Sequence, residues 1–242
     1  MKKIVTLLMA LVLMLGVSGC SNSDSNKSNN GKKDTSSSVK IKTVKDFTEF
    51  DGLIKYYTIG DEKISVPETV GEYTNYLSQI GTVTLNETGK DPSEVDLDAK
   101  GISSMAAYLK VETDDGDEAH FYVRYANKTN KSIKVSEAPV TYIEVRYDAY
   151  AEVEYDRAFN NIKVVTSAGT LPLDNKMKFN KVRKILGEPY QETDGRFNYA
   201  DDNGYKYMFD CCNENRKGIF RGFIIWATFW LWRIILSFSL NF

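Results

Sequence analysis

Within residues 118–126, Phe121, Val123 and Tyr125 alternate with His120, Tyr122 and Arg124. Side chains two apart on an extended chain point to the same side, so this run has one apolar and one polar face. Such a run is read as a strand of a sheet that packs one face on a core and leaves the other to solvent. Residues 107–112 precede it across Asp114-Asp115-Gly116-Asp117, which is turn chemistry, so the pair predicts a hairpin. Runs at 53–59, 63–66, 131–135, 141–147 and 161–166 also read as strands, with turns at Ala138-Pro139 and at 169–173. Residues 196–199 and 205–210 flank Asp201-Asp202-Asn203-Gly204, and Asn-Gly at a tight turn is a strong hairpin signal. In that hairpin Tyr205, Tyr207 and Phe209 share one face, with Lys206 and Met208 on the other.

Two segments switch to the helical period. Tyr73, Tyr76, Leu77 and Ile80 fall on one helical face before Gly81, which predicts a helix near 70–80. Phe179, Val182, Ile185 and Leu186 predict a second over 178–186, stopped by Gly187-Glu188-Pro189. Residues 86–101 are polar, carry Pro92 and are expected to be loop. The expected fold class is therefore α+β, mainly antiparallel sheet with two short helices. Val66-Pro67, a helix and Gly81 are echoed by Leu171-Pro172, a helix and Gly187, each set followed by a hairpin. That suggests two weakly repeated helix-plus-hairpin modules. Each element has one apolar side to bury, so Tyr205, Tyr207 and Phe209 should face Val182, Ile185 and Leu186.

The amino terminus carries an address. Lys2 and Lys3 precede an apolar run at 4–15, too short for a comfortable bilayer span, and then Val17-Ser18-Gly19-Cys20. This resembles the lipobox of bacterial lipoproteins: an aliphatic residue, two small residues, then cysteine. The resemblance implies diacylglyceryl transfer to the Cys20 thiol, cleavage before Cys20, and a body held on the extracytoplasmic face of a bacterial cell membrane. Acyl chains of the palmitate type contribute ~0.8 kcal/mol per buried CH₂, and two chains anchor stably where one does not. Residues 21–40 hold seven Ser, four Asn and four Lys, with Val39 the only aliphatic residue. They cannot bury enough apolar surface to offset ordering entropy and read as a tether of up to ~70 Å. The expected organisation is a signal peptide at 1–19, anchor and linker at 20–40, a β-rich domain at 41–158, a helix-plus-hairpin module at 159–218 and an apolar tail at 219–242.

The helix, Leu186-Gly187-Glu188-Pro189 and the aromatic hairpin with Asn203-Gly204-Tyr205-Lys206-Tyr207 are similar in pattern to BamE/SmpA-like and β-lactamase-inhibitor-protein-like lipoprotein modules. The resemblance covers about residues 160–218. It implies a short helix or helix pair on a small antiparallel sheet, acting by binding protein surfaces or by scaffolding, with no catalytic residues to transfer.

Composition narrows the chemistry. The formal charge is −2 and the pI about 5.6, so no basic field is available for nucleic acid. Loss of Lys2 and Lys3 with the signal would make the chain two units more acidic, with nothing to draw the body onto anionic lipid. His120 is the only imidazole and falls mid-strand opposite Phe121 and Val123, the position of a solvent-side or rim residue. No Gly-x-Ser-x-Gly, His-Glu-x-x-His or Gly-rich phosphate loop is present. The acids at 114–118 and 201–202 lack the loop spacing of a calcium site and suit turns better. Carboxylate pairs drawn from distant strands, as in glycoside hydrolysis, stay open. Cys211 and Cys212 are adjacent, too close for an unstrained disulfide, and their state is left open. Of 15 tyrosines, Tyr122, Tyr125, Tyr142, Tyr147, Tyr150 and Tyr155 crowd one stretch, fitting either sheet packing or recognition of a peptide or glycan.

Residues 219–242 hold all three tryptophans, no acid and no proline. Insertion of 222–240 into a bilayer gains roughly 3–6 kcal/mol against about 2.5–3.5 for Arg233, and Arg216, Lys217 and Arg221 would flank it on the wrong side. The tail lacks strand alternation, so it is expected not to belong to the evolved domain, for instance through a shifted reading frame. Sequencing the locus tests this.

No catalytic residue, cofactor or metal ligand is assigned, and Cys20 is the one modified site. The expected function is a non-enzymatic, membrane-anchored surface lipoprotein that binds or scaffolds an envelope or surface protein. The alternatives are an envelope hydrolase with dispersed carboxylates and the solute-binding lipoprotein of an importer.

Overall fold

The computed structural model describes residues 45–146, 162–173, 177–193, 195–211 and 220–227. In chain order the elements are β1 (Ile54–Ile59), β2 (Glu62–Ser65), α1 (Val70–Leu77), β3 (Thr82–Leu85), β4 (Asp96–Leu97), β5 (Tyr108–Glu112), β6 (Glu118–Tyr125) and β7 (Ile133–Lys134). A 3-10 turn at Val135–Glu137 leads into β8 (Val140–Arg146). There follow β9 (Ile162–Thr166), β10 (Gly169–Leu173), α2 (Phe179–Leu186), β11 (Gln191–Thr193), β12 (Arg196–Ala200), β13 (Lys206–Cys211) and β14 (Phe220–Trp226).

The strands form an eight-stranded sheet in the order β11-β12-β13-β14-β8-β6-β5-β3, a four-stranded sheet β10-β9-β1-β2 and a β4-β7 pair. Every strand pairing among the described residues is antiparallel. With two α-helices among the described residues, this is the expected α+β, mainly antiparallel architecture.

Alternation decides which side of the large sheet is buried. Leu109, Phe121, Val123, Ile143, Phe223, Ile225, Tyr207, Phe209 and Phe197 all point to one side and are at most 2 % exposed. Three elements cover that side. On α1, Tyr73 meets Phe121 edge-on, with ring centroids 6.3 Å apart. On β1, Tyr57 meets Phe223 at 5.5 Å. On α2, the Arg183 guanidinium lies 5.3 Å from the Phe197 ring centre. Tyr57 and Tyr73 also share a buried hydrogen bond of 2.8 Å between hydroxyls.

The first helix starts as its sequence requires. The Thr69 hydroxyl accepts the Glu72 N–H, while the Glu72 carboxylate accepts the Glu68 N–H and the Tyr76 hydroxyl. Burial, and then the Glu72 carboxylate, push the Tyr76 phenol up to about 12. The helix ends at Ser78 rather than at Gly81, which lies beyond it. The second ends at Gly187, as its sequence indicates.

Two expectations are corrected. Residues 169–173 are not a turn but strand β10, paired with β9 from Gly169↔Thr166 to Leu173↔Ile162. Pro172 is tolerated because β10 is an edge strand, where a missing N–H costs no ladder bond. It therefore does not correspond to Pro67, which follows β2. Residues 96–97, expected in a loop, pair with 133–134.

The boundary at 158/159 does not separate two sheets: β1 pairs β9 and β8 pairs β14, so both sheets draw strands from each side of it. Residues 220–226 are a central strand, β14, between β13 and β8. Phe223 and Ile225 are buried on the core side and Ile224, on the other side, is only 8 % exposed. A strand buried on both faces reads as a continuous apolar run, so alternation was absent where a strand exists. Gly222 fits the tight approach of β14 to β8: a Cβ there would lie 2.8 Å from the Val145 carbonyl oxygen.

Candidate functional site

The side of the large sheet facing away from the core carries polar and aromatic residues in cross-strand rows. One row runs Arg124, Tyr142, Trp226, Lys206 and Ala200 over β6, β8, β14, β13 and β12. The next runs Tyr108, Tyr122, Glu144, Ile224, Met208 and Asn198. In a third, Lys110 is opposite His120, and Arg146, Gly222, Asp210 and Arg196 are opposite one another in turn. Apart from Gly222, Glu144 and Ile224, which are buried, these residues are half-buried or exposed.

Their side chains interlock. Glu144 is only 6 % exposed. Its carboxylate accepts hydrogen bonds from the Tyr142 hydroxyl and from Arg146 Nε–H. A carboxylate so buried needs such partners, because desolvating an unpaired charge is costly. Burial, reinforced by Glu144, pushes the Tyr142 phenol well above its usual range. The Arg124 guanidinium sits 4.3 Å from the Tyr142 ring centre, and that of Arg146 sits 5.6 Å from the Tyr122 ring centre. His120 stacks on Tyr108 at 4.2 Å with 31° between the planes. Lys110 bridges Glu118 at 2.8 Å and Glu112 at 3.3 Å, and hydrogen bonding to these acids raises its ammonium while lowering Glu118.

The residues singled out in the sequence are distributed as follows. His120, Tyr122, Tyr142, Lys206 and Met208 lie on this outer face. Tyr125 belongs to the core. Tyr205, Tyr207 and Phe209 are buried, at 4 %, 0 % and 0 % exposure. All three share one core cluster with Val182 of α2, against which Ile185 and Leu186 also pack. Tyr205 packs at a tilt against Phe50 at 4.4 Å and meets Phe47 edge-on at 6.0 Å. Tyr207 reaches the Leu53 backbone, and Phe209 meets Tyr199 edge-on at 5.7 Å.

The two acidic clusters are turns. Asp201 spends one carboxylate oxygen on the Tyr205 N–H and the other on Leu53 N–H and the Tyr207 hydroxyl. At 113–117, Thr113 accepts N–H groups of Gly116 and Asp117. Among the described residues, no three His, Cys, Asp or Glu side chains are grouped to hold a metal ion. No described helix is long and apolar enough to cross a membrane. Cys20, Tyr147, Tyr150, Tyr155 and Cys212 lie outside the described residues, as does the side chain of Cys211.

Sequence reasoning missed Trp226 and Ile224 because it placed no strand there. It passed over Glu144 and Arg146 although a signal existed: Tyr142, Glu144 and Arg146 alternate with Ile143 and Val145. Comparison with family models, with curated proteins and with solved structures gives no match for this chain.

Proposed function

We propose that this protein is a lipid-anchored surface protein of a bacterial envelope, and that it works by binding another protein on the outer face of its large sheet, without a catalytic step. The observation that carries the reading is that face, with Tyr108, Tyr122, Tyr142, Trp226, Arg124 and Arg146 on adjoining strands. Tyr, Trp and Arg are the side chains over-represented at interface hot spots. Eight strands at ~4.8 Å spacing and about five residues of length give a platform of roughly 34 by 17 Å, about 580 Å² and so somewhat below the ~800 Å² per partner of a standard interface. Glu144 and Arg146 at its centre satisfy one another, which suits a preorganised binding surface better than an acid–base pair.

Element order supports reading the body as two copies of one helix-plus-hairpin module. A hairpin (β1–β2), α1 and the strands β3, β5, β6 and β8 are matched by a hairpin (β9–β10), α2 and β11 to β14. Strand order in both sheets is mirrored about the junction of the copies, β8/β14 and β1/β9. That pattern favours the resemblance to β-lactamase-inhibitor-protein-like and BamE/SmpA-like modules. The lipobox Val17-Ser18-Gly19-Cys20 supports the anchor.

Two experiments test the proposal. A photoreactive side chain at Met208, on the outer face, should capture a discrete protein on intact cells, whereas one at Lys163, on β9 of the small sheet, should not. Capture from neither position, or equally from both, would sink the binding face. Metabolic labelling with an acyl analogue should mark the wild type and not Cys20→Ser; equal labelling would reject the anchor.

A further inference from the structure

We infer that the partner presents an acidic segment to the row Arg124–Tyr142–Trp226–Lys206, with two carboxylates four residues apart and an apolar residue between them. The inference rests on the binding reading above and adds the chemistry of the occupant.

Across the outer face most cations have a carboxylate close by: Lys110 has Glu112 and Glu118, Arg146 has Glu144, and Arg196 stands opposite Asp210 on the next strand. Arg124 and Lys206 have no ion pair among the described residues. Arg124 Nε is buried with no hydrogen-bond partner there. Both cations fall in one row, at either side of Tyr142 and Trp226, and that row contains no carboxylate. A guanidinium stacked on a tyrosine ring still offers its N–H edge to a carboxylate. The row is therefore cation, aromatic, aromatic, cation.

Spacing fits an extended peptide laid across the strands. Arg124 on β6 and Lys206 on β13 are three strand intervals apart, about 14 Å at ~4.8 Å per interval. An extended chain rises ~3.4 Å per residue, so side chains at i and i+4 are also about 14 Å apart and on the same face. The side chain at i+2 then comes over Tyr142 and Trp226, where an apolar group is favoured. The occupant has the form acid-x-apolar-x-acid.

The probe is a fluorescein-labelled Glu-Ala-Leu-Ala-Glu peptide, compared with its Gln and Lys counterparts by fluorescence anisotropy on the full chain. The Glu peptide should bind at least tenfold more tightly than the Gln peptide, with a preference that shrinks as salt rises. Lys206→Glu, a surface change away from the core, should abolish that preference. Arg124→Glu combined with Lys206→Glu should transfer it to the Lys peptide. Equal binding of the Glu and Gln peptides, no binding at millimolar peptide, or an unchanged preference in Lys206→Glu would overturn the inference. Binding of poly(glycerol phosphate) without any peptide preference would overturn it too, by assigning the row to an anionic polymer. If capture from Met208 on cells persists undiminished in the charge-reversed chain, the binding face stands and the acidic partner falls. If wild type captures nothing from Met208, the binding face itself falls.

Discussion

Tyr207 shows how one side chain ties three segments together. Its ring is fully buried, its hydroxyl accepts the Leu53 N–H at 2.9 Å and donates to Asp201, and Gly52 leaves room for it, since a Cβ there would lie 2.0 Å from that oxygen. Burial, then the hydrogen bond to Asp201, raise the phenol far above its ordinary value. Tyr207→Ala should cost ~3–5 kcal/mol, as truncation of buried aromatics does. Tyr207→Phe should cost only about 1 kcal/mol, because the Leu53 N–H keeps Asp201 as an acceptor at 3.2 Å. Lys206→Ala, next in the chain but on the other face, should change stability by no more than about 0.5 kcal/mol. Chemical denaturation of the three variants checks the order, and an unchanged Tyr207→Ala midpoint would mean the aromatic row is exposed. A second residue-scale prediction concerns acid. Burial would raise the Asp46 carboxyl, but hydrogen bonds from Lys128 and Thr48 outweigh it and hold the group below 3.8. A carboxyl lowered by folding contributes stability above its unfolded pKa and loses it as pH falls through the lower, folded value. Asp46→Asn should therefore flatten the acid limb of the stability curve below about pH 4 and leave its shape near neutrality unchanged.

At the scale of elements, β14 closes the large sheet. Without it β13 and β8 each lose a partner on one edge, and Tyr57 loses the Phe223 ring. A chain ended at 218 should fail to show a cooperative thermal transition, whereas the full chain should show one. A normal transition in the truncated chain would contradict the placement of β14. The α1 cap predicts a smaller effect: Thr69→Ala removes the acceptor for the Glu72 N–H and should cost about 1 kcal/mol, read from the denaturation midpoint.

For the whole molecule, buried phenols set the alkaline limit. Tyr57, Tyr73 and Tyr207 are fully buried, and burial is the largest of the effects that leave all three phenols well above 10. Above about pH 10 the unfolded chain releases phenolic protons that the folded one retains. The unfolded state then binds fewer protons, so stability falls as pH rises. Phenolate absorbance should rise in two stages: exposed tyrosines first, then the buried ones in step with loss of tertiary structure. A single smooth titration with the fold intact would show that these rings reach solvent. Because β1 joins β9 and β8 joins β14, unfolding should be one transition and not two separated at residue 158.

Local periodicity by itself determined the strands around 118–126, 141–146 and 205–210, the two helices, and which side of each is apolar. Those properties depend on neighbours two to four residues apart, and short-range sterics and turn chemistry enforce them. Tertiary structure alone decided that 220–226 is a strand, because a segment apolar on both faces has the same pattern in a sheet centre as in a membrane. It also decided that Tyr205 rests on Phe47 and Phe50, and that edge position lets Pro172 sit in β10. The candidate site has the same origin. His120, Tyr122 and Arg124 are visibly outward in the sequence, but the row Arg124–Tyr142–Trp226–Lys206 exists only through pairing register between residues up to 84 positions apart. Register is set by the fit of whole apolar faces against each other, and no local stretch of chain contains that information.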